Sequence, residues 1–266
     1  CVVQAAGIAT TNFAAASQTQ SVTIGKTIPV IAFGTAPTPT YLGGNFTVSA
    51  TTTNTDDNTL TYTRVSGPCA FVSGATFSST GAGACVVQAA GIATTNFAAA
   101  SQAQSVMIAK AAPTITFGTA PTPTYLGGNF TVSAATTNTD SAALTYSYVS
   151  GPCTFVSGAT FSSTGAGACV VQAAGIATTN FAAASQTQSV TIAKAAPTIT
   201  FGTAPTPTYL GGNFTVSAAT TNTDSTALTY SYVSGPCAFV NGATFSSSGI
   251  RSEEHTSELQ SPSSIS

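Results

Sequence analysis

Apolar and polar residues alternate along this chain in short runs. Between residues 111 and 194 the runs are Thr114-Ile115-Thr116-Phe117, Asn129-Phe130-Thr131-Val132-Ser133-Ala134, Leu144-Thr145-Tyr146-Ser147-Tyr148, Cys153-Thr154-Phe155, Thr160-Phe161-Ser162, Cys169-Val170-Val171-Gln172-Ala173 and Ser189-Val190-Thr191-Ile192. A period of two sets alternate side chains on one face. Runs rich in Thr, Val, Tyr and Phe, bounded by turn signals, predict antiparallel strands with one buried face. Gly127-Gly128, Gly151-Pro152, Ser157-Gly158 and Gly165-Ala166-Gly167 supply the turns. The expected inner face holds Ile115, Phe117, Phe130, Val132, Leu144, Tyr146, Phe155, Phe161, Val171, Val190 and Ile192, and Gln172 marks the wet face, which puts Cys169 inside. No amphipathic helical pattern is present. The Ala-rich stretch Ala177–Ser185 carries β-branched Thr178 and Thr179 and then Asn180, which predict a loop.

The pattern repeats. Cys1, Cys85 and Cys169 each open the run CVVQAAGIATTNF, at intervals of 84 residues. That period exceeds a solenoid turn or a propeller blade and suits a small domain with its own core. The sequence Lys-Ala-Ala-Pro recurs at Lys110–Pro113 and Lys194–Pro197, where proline ends one strand and preorganises the next. Cutting there predicts the C-terminal part of a domain at 1–26, whole domains at 27–110 and 111–194, and an incomplete domain at 195–250. The chain begins without Met, and Met107 is its only methionine, so a piece of a longer protein is expected. Seven short strands within one 84-residue period predict an all-β fold of tandem immunoglobulin-like antiparallel β-sandwich domains in an extended array. The chain has no Trp, so the antibody-type Cys–Trp–Cys core is missing. So short a linker leaves little room for bending.

Composition narrows the function. Up to Gly249 the charges are Lys26, Arg64, Lys110 and Lys194 against Asp56, Asp57, Asp140 and Asp224. Only 5% of the chain is charged, far below the usual quarter, so no basic patch for nucleic acid or an anionic membrane exists. No apolar run is long enough for a transmembrane helix. The repeats contain neither His nor Glu, so their abundant Ser and Thr lack a base, and no enzyme and no cofactor are expected. Asp56-Asp57, Asp140 and Asp224 lie in the loop TTNTD(S/D), where one or two carboxylates read as turn residues and fall short of a calcium cluster. GAGAC lacks the Lys-Ser/Thr and the helix start that a phosphate loop needs. Asn45, Asn129 and Asn213 stand in Asn-Phe-Thr, formally a glycosylation signal and otherwise a strand start. Lys110 and Lys194 could join an internal Lys–Asn isopeptide bond only beside a buried carboxylate, and they lie at domain junctions. The Thr-rich loops Thr51-Thr52-Thr53-Asn54 and Thr136-Thr137-Asn138-Thr139 read as solvated, with sugar contact as the alternative.

The domain cut also divides the cysteines. Cys69 and Cys85 share one domain and Cys153 and Cys169 the next; each pair brackets a hairpin, and both members have inward parity. A disulfide in each domain is predicted, stabilising by about 3 kcal/mol in the chain-entropy model and implying an oxidising compartment. Two buried free thiols are the alternative. Cys1 and Cys237 are expected to be unpaired by truncation. A zinc site is disfavoured by the absence of a second ligand pair or an in-domain histidine.

The order ITFGTAPTPTYLGGNFTVSA, LTYSYVSGPC, ATFSSTGAGACVVQAAG, NFAAASQTQSVTIAK resembles the bacterial immunoglobulin-like repeats of large cell-surface and secreted proteins. The resemblance implies a non-catalytic stalk or spacer of an extracellular protein at the bacterial cell surface. Its partners would be the neighbouring repeats of the same chain. The alternative it implies is an adhesin-like module binding glycan or a host surface protein through its Thr/Ser/Asn loops. Residues 251–261, RSEEHTSELQS, resemble the in-frame translation of a short-read sequencing adapter, so 251–266 are expected to be a non-native, disordered tail.

Overall fold

The computed structural model describes residues 1–249; the expectations for the tail 251–266, and Ile250, lie outside the described residues. The chain opens with the hairpin β1 (Val2–Gly7) and β2 (Ala16–Ser21). Eight strands follow: β3 (Ile31–Phe33), β4 (Asn45–Thr47), β5 (Ala50–Thr52), β6 (Thr61–Ser66), β7 (Cys69–Ser73), β8 (Thr76–Ser79), β9 (Gly83–Gly91) and β10 (Ala100–Ile108). The next eight repeat them: β11 (Ile115–Phe117), β12 (Asn129–Thr131), β13 (Ala134–Thr136), β14 (Thr145–Ser150), β15 (Cys153–Ser157), β16 (Thr160–Ser163), β17 (Gly167–Gly175) and β18 (Ala184–Ile192). Five more close the described part: β19 (Ile199–Phe201), β20 (Asn213–Thr215), β21 (Ala218–Thr220), β22 (Cys237–Asn241) and β23 (Thr244–Ser247). The described chain is all-β, a tandem of immunoglobulin-like modules, and holds no helix long and apolar enough to cross a membrane.

Each eight-strand module has two facing layers. In the second module β12-β16-β15 form one sheet and β14-β17-β18 the other, with the pair β11-β13 beside them. Phe130, Val132 and Phe161 from one layer pack on Val171, Val190 and Ile192 from the other, all buried. The first module repeats this with Phe46, Val48, Phe77, Val87, Val106 and Ile108. A disulfide pins the layers together, Cys69 in β7 to Cys85 in β9 and Cys153 in β15 to Cys169 in β17, each with a Cα–Cα distance of 5.8 Å. Cys1 and Cys237 are free thiols.

Two expectations need correcting. The run 129–134 is two strands, because the chain changes sheet at Val132-Ser133. β12 pairs with β16 in one sheet and β13 with β11 in another, which makes eight strands where seven were expected. Phe155 was expected in the core but is 47% exposed. Its parity is inward, since it sits opposite buried Phe161 and packs edge-on against it at 5.7 Å. β15, however, is the edge strand of its sheet, so one side of the Phe155 ring has no cover.

The described residues divide into two compact units, 1–193 and 194–249. The second unit is an internal control. Residues 195–249 differ from 111–165 only at Ala142/Thr226, Thr154/Ala238, Ser157/Asn241 and Thr164/Ser248, and the described residues of this unit include no counterpart of β17 and β18. The stretch 228–233, identical to 144–149, is no strand there, and among the described residues β14 pairs with β17 alone. Ile199 is 60% exposed where Ile115 is buried. β14 is thus a strand by virtue of its partner.

The crossing from β14 to β15 depends on Gly151. Its φ is +98°, and a Cβ there would meet the Ala168 carbonyl oxygen at 2.0 Å. Gly151→Ala is expected to destabilise the second module by about 3 kcal/mol, read from hydrogen exchange of the β17 amides. Gly235, in the same turn without the opposing strand, has nothing within 4 Å of such a Cβ, so Gly235→Ala is expected to cost only the backbone term.

Candidate functional site

Among the described residues, the site most developed in polar geometry is the joint where one module meets the next. It is built on the TTNTD loop. Thr136 ends β13, and Asn138 behind it is buried, its Oδ1 accepting from the backbone N–H groups of Asp140 (3.0 Å) and Ser141 (3.2 Å). This Asx turn satisfies the buried amide within the loop and aims Asp140 outward. The reading of Thr51–Asn54 and Thr136–Thr139 as solvated loops therefore needs correction: Asn54 and Asn138 are buried, and Thr51, Thr52 and Thr136 are strand residues.

Asp140 captures the loop that leads from β17 to β18. Its Oδ2 accepts the Asn180 backbone N–H (2.8 Å) and its Oδ1 accepts from Asn180 Nδ2 (3.1 Å). These donors hold the carboxyl below its ordinary value of 3.8, the Asn180 backbone N–H first and its side-chain amide second; Thr178 and the charge of Lys110 assist, against desolvation. Lys110 also donates from Nζ to the Thr178 carbonyl oxygen. Asp56 is held low in the same way by the Asn96 backbone N–H, then the Asn96 side chain, then Thr94, with Lys26 adding its charge. The incoming chain is stitched alongside: Ala111 N–H donates to the Asn180 carbonyl (2.9 Å), and Ala182 N–H donates to the Ala111 carbonyl (2.8 Å).

The remaining polar atom of Asn180 faces the preceding module. Its Oδ1 accepts the Ala82 backbone N–H at 2.9 Å. The donors to Asp140 and the acceptor toward Ala82 together fix the amide's orientation. Beside this bond Tyr41 of the first module meets Phe181 of the second edge to face, ring centres 5.6 Å apart at 85°. Such a pair contributes about 0.5–1.5 kcal/mol beyond its buried area. Three copies of the same phenylalanine measure what the neighbour adds. Phe181 is 2% exposed, Phe97 is half-buried in its own module alone, and Phe13, on a hairpin with no module around it, is 77% exposed. Gly81 completes the seat, since a Cβ there would lie 2.9 Å from Asn180 Oδ1; at Gly165 it would meet only Pro152.

The sequence reading placed Ala177–Ser185 in a loop and missed its role. Ala184 and Ser185 begin β18, Phe181 forms a short parallel bridge with Ala111, and Asn180-Phe181 carry the contact between modules. The available signal was Phe181 itself, a large apolar residue in an otherwise polar loop. Among the described residues no three His, Cys, Asp or Glu side chains gather as metal donors.

No family model matches the chain, and no curated protein does. Among solved structures, the crystal structure of Drosophila N-cadherin EC1-4 aligns at 14% identity over 96% of this chain and 76% of that one, with a TM-score of 0.26. The fold assignment rests on the strand pairing and layer packing described above.

Two outcomes are expected. Phe181→Ala should lower the melting temperature of the second module more than Phe97→Ala lowers that of the first, because only Phe181 has Tyr41 against it; calorimetry of the full chain reads both. Asp140, held low in the fold, contributes its stabilisation above about pH 4 and loses it as pH falls through the lower folded value. Lowering pH from 5 to 2 should therefore shift the Asn180 side-chain amide resonances in the native chain and leave those of Asp140→Asn unmoved.

Proposed function

We propose that this chain is a non-catalytic spacer, made of immunoglobulin-like domains joined in series, from an extracellular protein of the bacterial cell surface. The observation that carries the reading is the length of the connection. Ala109 is paired with Thr40 of the first module and Ala111 with Phe181 of the second, so Lys110 alone lies between two hydrogen-bonded positions. A one-residue connection flanked by pairing, and closed by Tyr41–Phe181 and Ala82–Asn180, restricts hinge motion between modules. We place the domain boundaries at 27–110 and 111–194 on that basis. The disulfides support an oxidising compartment, and the bacterial setting rests on the sequence resemblance alone.

NMR relaxation on the full chain tests the spacer reading. Modules 27–109 and 111–193 should share one rotational correlation time, and Asn180→Ala with Phe181→Ala should separate them. Independent tumbling of the native modules would sink it.

An adhesive role is the second reading, and one observation favours a surface for it. Each module exposes apolar side chains on the neighbouring edge strands: Val65, Phe71 and Val72 in the first, Val149, Phe155 and Val156 in the second. The Thr-rich loops are occupied in the joint, so this edge is the better candidate for host protein, with glycan left to the exposed Thr side chains. In a panel of glycans and matrix proteins, specific binding abolished by Val149→Ser with Val156→Ser would establish adhesion, and no binding across the panel would leave the spacer.

A further inference from the structure

We propose that Asn241 is a site of spontaneous covalent modification, at which the Gly242 backbone nitrogen closes an imide on the asparagine side chain and leaves an acidic residue behind. Asn241-Gly242 is the only Asn-Gly pair in the sequence. It stands where the other near-identical copies carry Ser73-Gly74 and Ser157-Gly158, so one module alone has the reactive amide.

Three features of the fold leave the pair free to react. β22 is an outer strand of the sheet β20-β23-β22, and Asn241 ends it, opposite Thr244 at the turn into β23. Asn241 and Gly242 are both exposed. The Gly242 N–H makes no backbone hydrogen bond among the described residues, and the ladder is already irregular between Phe239 and Asn241. Gly242 has a φ of +53° and nothing within 4 Å of the position a Cβ would take, so no side chain crowds the attacking nitrogen. The exposure belongs to the hairpin itself. Ser157 and Gly158 of the second module are exposed too, with a φ of +55° and the same open space at Gly158.

Other asparagines are held. Asn54 and Asn138 are buried, and each accepts two backbone N–H groups of its own loop. The Asn180 amide is fixed between Asp140 and the Ala82 N–H. Each of these three is followed by Thr or Phe, whose Cβ hinders approach to the next backbone nitrogen.

The step balances within the chain and water. Base removes the Gly242 amide proton, the nitrogen attacks Asn241 Cγ, and the Cγ–Nδ2 bond breaks. Ammonia leaves, carrying the amide hydrogens and one proton. Water then opens the ring at either carbonyl and gives an aspartyl or an isoaspartyl residue at position 241, with no oxidant or reductant. Either product adds one negative charge to a chain whose net charge is −2. The charge lands at the end of an edge strand beside exposed Phe239 and Val240, where a carboxylate opposes strand addition by another chain. The isoaspartyl form also lengthens the backbone by one carbon before the turn, which disrupts the pairing of position 241 with Thr244.

Ageing of the full chain in warm, mildly alkaline buffer tests this, with chymotryptic peptides followed by mass spectrometry and electron-transfer fragmentation. The peptide holding position 241 should gain the mass of an amide-to-acid exchange at least an order of magnitude faster than any other asparagine. Aspartyl and isoaspartyl products should appear together, with equimolar ammonia, and the rate should rise with pH. Asn241→Ser, the residue of the other copies, should abolish the gain and keep the circular dichroism spectrum. Asn241→Gln should slow it by an order of magnitude or more, because the ring then needs one more member. Three results would each overturn the proposal: position 241 reacting no faster than buried Asn138, an aspartyl product with no isoaspartyl partner, or a reaction seen only after denaturant is added.

Discussion

Closure of each sandwich by its last hairpin is the contact on which the rest depends. β17 lies at the centre of its sheet, pairs with β14 on one side and β18 on the other, and carries the cysteine that reaches across to β15. Cys169, Val171 and Ala173 leave no surface exposed. In residues 195–249, where the described residues include no such strand, three features appear together: the residues matching β14 form no strand, Ile199 and Phe201 face solvent, and Cys237 is a free thiol. The sheet β20-β23-β22 and the pair β19-β21 persist there, because each of their strands has its partner within residues 195–249. A strand forms where its partner strand is present, and β14 has that partner in β17.

The joint follows the same logic at the next level. A module alone positions Asn96 and half-buries Phe97; a preceding module's tyrosine and backbone amide finish the job at Asn180 and Phe181. Because Asp140 fixes Asn180 from behind, the contact surface is organised before the neighbour arrives, and little ordering remains to be done on contact. A chain nearly devoid of charge thus places two of its few carboxylates, Asp56 and Asp140, where backbone and amide donors surround them.

What could be read from residues alone was parity and period. Ile115, Phe130, Val132, Phe161, Val171, Val190 and Ile192 face the core as their alternation requires, because the side a strand residue faces is a local property of extended backbone. The repeat interval, the all-β class and the shared inward parity of Cys153 and Cys169 are legible for the same reason.

Coverage belonged to the tertiary structure. Phe155 has the parity of a core residue and lies at an edge; Phe181 sits in a loop and is buried by a ring from the neighbouring module; the run 129–134 keeps its alternation while crossing between sheets. Alternation states which way a side chain points, and what stands in front of it is supplied by chain many residues away. The sequence by itself therefore determined the modules and their inward faces, and only the fold decided which of those faces are closed, because closure needs a second surface that no local pattern encodes.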